Sequence, residues 1–565
     1  MQAGRRFVVP GGGAFLIEEP GEIFTPERLT AEQRQMAEAA RDYLEREVRP
    51  HLDAIESPDF ALTVRLVKQA GELGMLGAEL PAEYGGLGLD MATGALLTET
   101  MAPGGGFALT VGAHTGIGTL PIAFFGSAAQ KGKWLPLLAS GEKIAAYALT
   151  EPTSGSDALA ARTVATADGD GYRLTGTKQF ITNSGFADVF VVYAKIDGAR
   201  FSAFIVERDQ PGVALGPEEQ KMGLHGSSTR QLRLDGARGE LLGEAGRGHV
   251  IAFNILNIGR FKLGAGCLGS AKHALALATA YAAERVQFGK PLASYGLIQG
   301  KLADMNTRIF ALESMVYRTA ALIEAQLAAG AADKAAAIAE YALECSANKV
   351  YGSEGLDFVV DEAVQIHGGN GFIRGYEVER LYRDARINRI FEGSNEINRL
   401  LIPDQLLRRA MSGRLGLLPA AEAAQREAAA GTVPASPLAA AKKAFLLEAG
   451  AAAMKFGEGL AEQQELLGIA ADAAIELYAA ESALVRAGQT GSALQGAMAA
   501  LVQEAACARV EAGARDAMTF LYDGDARLTA LGALRRLSRR EPVPTIALRR
   551  DVASAVLAAG GYTAG

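Results

Sequence analysis

Gly171-Tyr-Arg-Leu-Thr-Gly-Thr-Lys178 alternates apolar with polar residues and closes on turn formers, the period-two pattern of a strand with one buried face. Long stretches on either side place apolar residues at three- and four-residue spacing instead. Working outward, residues 189–193 and 201–206 are short β-branched or aromatic runs separated by turns. The region from 144 to 242 therefore reads as a small antiparallel β domain. Upstream, Thr30 with Gln33 forms a capping-box pattern that opens a helical stretch to about residue 74. Gly85-Gly86 and Gly104 to Gly106 then separate further helical pieces. Downstream, residues 251–285, 296–327 and 331–350 carry the apolar stripes of an antiparallel bundle. An alanine-rich tract follows Pro403, with a loop at Thr432-Val-Pro-Ala-Ser-Pro437 and a break at Arg539-Arg-Glu-Pro-Val-Pro544.

The expected fold is α+β and mainly helical. It has an N-terminal extension (1–29), an N-terminal helical domain (30–143), a middle antiparallel β domain (144–248), a C-terminal four-helix bundle (249–402) and an additional C-terminal helical domain (403–565). A chain of 565 residues with 49% hydrophobic and 21% charged residues is ample for several packed cores. The net charge of −8 argues against a nucleic-acid binder, which needs a basic face. The three cysteines (Cys267, Cys345, Cys507) are far apart and lack CxxC spacing. They offer neither a disulfide framework nor a thiolate metal site, and they fit a reducing cytoplasm. Arg5 and Arg6 precede too few apolar residues for a leader. The uncharged run 100–130 holds Pro103, Gly104 to Gly106, His114 and Pro121, so it reads as a buried helix-and-loop segment rather than a membrane span.

There is no GxxxxGK[ST] loop, no HExxH helix, and no KTG partner for Ser140-Gly-Glu-Lys143. Gly243-Glu-Ala-Gly-Arg-Gly248 has the wrong glycine spacing for a dinucleotide fold. What remains is a set of glycine- and hydroxyl-rich turns, which can present N–H groups and hydroxyls to a phosphate or a heteroaromatic edge. Five separated stretches carry them: AYALTEPTSGSD (Ala146 to Asp157), KQFITN (Lys178 to Asn183), ERVQFGKPL (Glu284 to Leu292), QIHGGNGF (Gln365 to Phe372) and IFEGSNEINRLLI (Ile390 to Ile402). In this order they resemble the acyl-CoA dehydrogenase family over residues 30–402. The long C-terminal tract, with Val111-Gly-Ala-His-Thr-Gly-Ile-Gly118 and Asn254-Ile-Leu-Asn-Ile-Gly-Arg-Phe261, resembles its very-long-chain branch and bacterial relatives.

The resemblance implies non-covalent FAD and oxidation of an acyl-CoA thioester to the trans-2-enoyl form. It implies that Tyr147, Leu149, Thr150, Phe180 and Thr182 contact the isoalloxazine ring, with Phe180 standing where the family often has tryptophan. Ser156 would touch cofactor and CoA chain; its ordinary reading is a turn-capping serine after Gly155. Arg285, Gln287 and Phe288 would reach the FAD of a neighbouring subunit in a homodimer. Gln365, Gly368 and Gly369 would close over that FAD, while His367 replaces an apolar residue common in the family. Asn257 and Arg260 would lie by the substrate, Asn257 where shorter-chain relatives tend to have aspartate. Leu109 and Ala113, with Gly112 and Gly116 beside them, would leave depth for a long acyl tail; ordinary small-residue helix packing explains them equally.

Glu392 maps onto the family's catalytic base. α-Proton removal needs a carboxylate whose pKa burial can raise, and Gly393 would admit the thioester to the backbone. Ser394 and Glu396 would line the FAD side. The ordinary reading of Glu392 is a helix-face carboxylate paired with Arg389 or Arg386. No metal is implied. Electron-transfer flavoprotein is the implied electron acceptor and the cytoplasm the expected location. The very-long-chain branch uses its C-terminal domain for dimer support and membrane-surface association, but no concentrated basic helix with an apolar face stands out here. Two other readings stay open: an acyl-CoA oxidase using oxygen, and a non-catalytic assembly scaffold on the same fold.

Overall fold

The computed structural model describes residues 9–57 and 59–565; Arg5 and Arg6 lie outside the described residues. The chain divides into two compact units. One comprises Thr30–Lys262 with Ala332–Ala339. The other comprises the described residues up to Leu29, then Leu263–Ala331 and Glu340–Gly565.

The first unit opens with seven helices: α1 (Ala31–Tyr43), α2 (Leu52–Glu56), α3 (Phe60–Glu72), α4 (Met91–Met101), α5 (Gly106–Ala113), α6 (Leu120–Phe125) and α7 (Ala128–Ala139). The Thr30 hydroxyl and the Gln33 side chain cap α1 reciprocally, as the sequence pattern predicts. Gly106–Phe125 is long and apolar enough to cross a membrane by length and composition, yet more than half of it is buried within the protein.

Seven strands follow: β1 (Ala145–Ala148), β2 (Val164–Asp168), β3 (Gly171–Thr182), β4 (Val189–Ile196), β5 (Arg200–Glu207), β6 (Val213–Glu218) and β7 (Thr229–Leu242). β4 pairs with β2 on one edge and β5 on the other, so β2-β3-β7-β5-β4 closes into a ring. Closure leaves that ring without a free edge. Most pairings are antiparallel, but β1 and β2 both run parallel to β4. Phe190, Val192, Leu174, Phe204, Val206 and Leu232 fill the interior, each contributing roughly 1.5–3 kcal/mol by burial. The opening stretch does not end at Lys178. β3 runs on to Thr182 through a bulge between Lys178 and Ile181, which lets the ladder absorb a residue that the alternation could not.

The second unit contains the rest of α8 (Gly248–Glu284), the hairpin β8 (Val286–Gln287) and β9 (Lys290–Pro291), and α9 (Gly296–Ala328). The predicted single helix over 331–350 is two helices, α10 (Lys334–Glu340) and α11 (Ala342–His367), broken at Tyr341. The break has a tertiary cause. The Tyr341 hydroxyl donates to the Pro10 carbonyl (2.8 Å), and Glu340 accepts the Gly12 N–H (3.1 Å). A Cβ at Gly12 would sit 2.3 Å from the Glu340 carbonyl, so glycine alone fits that contact. The same N-terminal segment packs Phe15 against Tyr478 with the rings tilted at 48° and pairs Glu27 with the buried Arg486.

α12 (Glu377–Ala385) and α13 (Asn395–Met411) complete the bundle region. The boundary placed at Pro403 falls inside α13. Burial of Ile402, Pro403 and Leu406 there outweighs the lost backbone hydrogen bond. The remaining helices are α14 (Leu417–Ala430), α15 (Pro437–Phe456), α16 (Gln464–Thr490), α17 (Ala493–Leu521), α18 (Gly524–Leu537) and α19 (Thr545–Ala559). α16 packs on α17 and α9, and α19 on α9.

Candidate active site

In the first unit, β1 and the bulged end of β3 bring the predicted flavin-side residues together. The Gln179 N–H donates to the Thr150 carbonyl (2.8 Å), tying the turn after β1 to the bulge. Phe180 sits at the bulge with φ 58° and is 58% exposed. A bulky residue in the left-handed region is strained, and here that geometry turns an aromatic face outward. Thr182 follows in register with Thr229. Tyr147 and Leu149 are buried, and the Tyr147 ring meets Tyr193 edge-on at 5.1 Å. Tyr147 thus packs into the barrel wall as well as standing in the turn that the sequence singled out. Ser156 is exposed, and the turn is capped instead by Ser154, whose hydroxyl donates to the Asp157 carbonyl (2.6 Å).

The sequence reading missed the residues that hold this turn. Lys178 is fully buried inside the barrel, donating to Glu151 Oε1 (2.7 Å) and to the Leu149 carbonyl (3.1 Å). Glu151 also accepts from the Arg162 N–H (2.6 Å), the Thr163 N–H (3.0 Å) and the Thr163 hydroxyl (2.6 Å). Burial pushes the Lys178 ammonium down to about 8. Burial opposes ionisation of Glu151, but the Lys178 charge and these hydrogen bonds outweigh it and hold the carboxyl below its usual range. Both stay charged at neutral pH. His114 fixes the start of β1: its Nδ1 accepts the Ala145 N–H (3.0 Å), so its Nε2 donates to the Leu138 carbonyl (2.9 Å). Burial lowers its pKa to about 4, keeping it neutral. Lys178 and Glu151 stand inside quoted motifs and His114 in a quoted stretch, so the residues were visible while their pairing was not.

Asn257 and Arg260 are both buried one turn apart on α8, joined by a 3.0 Å hydrogen bond. Near them, Lys262 pairs with the buried Glu79. A Cβ at Gly112 would meet nothing within 4 Å, and one at Gly116 only the Lys262 stem at 3.9 Å. Leu109 is half-buried and Ala113 buried.

In the second unit, Glu392 has φ 58° and Gly393 φ 78°, two consecutive left-handed residues between a 3-10 turn (Arg386–Arg389) and α13. Glu392 is therefore on a loop, not on a helix face. Arg389 pairs with Asp357 (2.7 Å) and Arg386 is exposed. Ser394 caps α13 by accepting the Ile397 N–H (3.4 Å). The Glu396 carboxyl is held below its usual range by its own backbone N–H and the Ser394 hydroxyl. Arg285, Gln287 and Phe288 sit on an exposed hairpin. Phe288 (φ 52°) and Gly289 (φ 81°) form its tight turn, and the Phe288 ring is 96% exposed. Gln365, Gly368 and Gly369 are exposed at the end of α11. His367 instead stacks on Tyr281 at 4.1 Å. Among the described residues, no group of three or more His, Cys, Asp or Glu could hold a metal.

Four regions of the chain match descriptions of one family: "Acyl-CoA dehydrogenase, N-terminal domain" over residues 30–142, "middle domain" over 146–237, and "C-terminal domain" over 246–407 and again over 440–536. The chain belongs to the acyl-CoA dehydrogenase family. It is 51% identical to a "Probable acyl-CoA dehydrogenase" of Bacillus subtilis (strain 168), over 98% of this chain and 99% of that one. The crystal structure of an acyl-CoA dehydrogenase complexed with FAD from Bacillus anthracis superposes with a TM-score of 0.95 at 50% identity, covering 98% of this chain and all of the other. The human very long-chain specific acyl-CoA dehydrogenase is 43% identical over 59% of this chain and 51% of its own length. Within an acyl-CoA dehydrogenase, the Glu392 loop, the Phe180 bulge and the Phe288 turn are places where backbone strain coincides with residues singled out from sequence.

Proposed function

We propose that this chain oxidises long-chain acyl-CoA thioesters to trans-2-enoyl-CoA with FAD, Glu392 removing the α-proton. The observation that carries the reading is the loop itself: a carboxylate in a left-handed turn, followed by a glycine and then a capped helix. The Glu392 carboxylate accepts the α-proton, and hydrogen-bond donors to the thioester oxygen would stabilise the charge that develops there. Gly393 has no side chain to bar the thioester. Ser394 keeps the loop fixed to the start of α13.

The residues fit FAD. The outward-facing Phe180 ring and Thr182 suit a flat heteroaromatic ring, with Tyr147, Leu149 and Thr150 in the adjoining turn. Arg285 suits a pyrophosphate, because its planar fork donates two hydrogen bonds together. When bound, FAD supplies the acceptor for the β-hydride. Ser156, Asn257, Arg260 and Gly393 are assigned to acyl-CoA. Open space beside Gly112 and the side-chain-free Gly116 support room for a long acyl tail. The exposed hairpin with Arg285, Gln287 and Phe288, and the exposed Gln365, Gly368 and Gly369, support a homodimer in which each copy completes its partner's cofactor site. Electron-transfer flavoprotein as acceptor, a cytoplasmic location and weak association with a membrane surface complete the proposal.

The test is anaerobic mixing of the flavin-loaded protein with acyl-CoA of graded chain length. Bleaching that is fastest with long chains supports the proposal; failure of every chain length to reduce bound FAD overturns it. Glu392→Gln is expected to keep the flavin and lose bleaching by roughly 10²–10⁴-fold. Rapid reoxidation by air, with no gain from electron-transfer flavoprotein, would make the enzyme an oxidase instead.

A further inference from the structure

The loop that carries Glu392 is held by a charged residue from another helix. Lys349, on α11, is fully buried. Its ammonium donates to the Gly393 carbonyl (2.9 Å) and to Asn395 Oδ1 (2.6 Å). The Gly393 carbonyl accepts a second hydrogen bond from Asn398 Nδ2 (2.8 Å), which also reaches the Ser394 carbonyl (3.1 Å). Asn395 is fixed in turn by Ser353 (3.0 Å) and Glu354 (2.9 Å). Ser353 lies one turn along α11 from Lys349, so a single helix face supplies both ends of the clamp. Arg399 grips Glu354 through two hydrogen bonds of 2.7 and 3.0 Å.

Burying an ammonium is costly unless its donors are satisfied. Here it is spent on a backbone carbonyl next to two consecutive left-handed residues. A non-glycine residue in that region is strained, and Gly393 by itself resists little, since it populates many conformations. Charge-assisted hydrogen bonds are roughly twice as strong as neutral ones, enough to hold the strained form. Misplacement of a reacting group by about 1 Å can cost about 10²-fold in rate.

We infer that Lys349 is a positioning residue for proton abstraction: its buried ammonium, with Asn398, locks the Gly393 carbonyl and thereby holds Glu392 in its left-handed conformation. The inference rests on Glu392 being the base. The two are separated by measuring exchange of the α-protons of a bound acyl-CoA analogue that has no β-hydrogen, in D2O, by mass spectrometry. Glu392→Gln abolishes exchange if Glu392 is the base; exchange that survives it overturns that assignment and not the clamp geometry. Lys349→Met is expected to retain FAD and to bind enoyl-CoA within about 3-fold of wild type, while exchange falls roughly 10–100-fold. Lys349→Arg, which keeps charge and donors, is expected to recover part of the loss. Wild-type exchange in a folded, flavin-loaded Lys349→Met overturns the inference, as does a loss matched by an equal loss of enoyl-CoA affinity. Where Lys349→Met does not fold, Asn398→Ser decides: slowed exchange with retained FAD supports the clamp, and unchanged exchange overturns it.

Discussion

Phe180 and Glu392 lie in different compact units, yet they share a backbone conformation, both with φ 58°. Both are also steadied by a buried lysine, through different chemistry. Lys178 meets a carboxylate, Glu151, and the carbonyl of Leu149. Lys349 meets the Gly393 carbonyl and an amide oxygen, that of Asn395. The first clamp is an ion pair inside a closed barrel, where the strand ladder already fixes most torsions. The second holds a loop that has no ladder, so its hydrogen bonds act directly on the peptide beside the proposed base. The barrel clamp should therefore govern stability and cofactor retention, and the loop clamp should govern rate.

The largest expected effect tests the barrel side. Lys178→Met leaves the buried Glu151 carboxylate without its counter-charge, so chemical denaturation should show a loss of about 3–5 kcal/mol. Lys178→Met combined with Glu151→Gln should recover much of it. Flavin content should fall in Lys178→Met and stay full in Lys349→Met; the same outcome in both would erase the distinction. His114 gives the next effect. Its folded-state pKa of about 4 lies below the ordinary 6.5, so the unfolded chain binds more protons between those values. The stability from a neutral His114 is present above pH 6.5 and lost as pH falls through 4, amounting to about 3 kcal/mol. His114→Gln should flatten that part of a stability–pH curve measured by denaturant titration. A curve of unchanged slope would mean that other groups dominate acid unfolding. Phe180→Ala carries the smallest effect. Removing an aromatic face should weaken FAD by roughly 1 kcal/mol, about 5-fold in Kd, with little change in stability. An unaltered FAD affinity would detach the bulge from the cofactor.

The bulge and the split helix show where the sequence was opaque. Alternation from Gly171 to Lys178 identified the strand, but not its extension to Thr182, because a bulge breaks the period that reveals it. The run 331–350 has the spacing of one helix, and its break at Tyr341 comes from a contact with Pro10, over three hundred residues away. Pro403 is a local stop signal overruled by the burial around it. Among candidate site residues, Ser156 read ambiguously because Ser154, two residues earlier, does the capping. Arg389 stood three residues from Glu392, yet its partner is Asp357, on a different helix.

The sequence by itself determined the class of each region and the family, because hydrophobic period, turn residues and five ordered motifs are all local properties. It also named Glu392 and Phe180. The tertiary structure alone decided what each residue is held by: Lys178 by Glu151, Gly393 by Lys349 and Asn398, His114 by Leu138 and Ala145. Those pairings depend on satisfying buried donors and charges across long stretches of chain. No local pattern records which partner will be there.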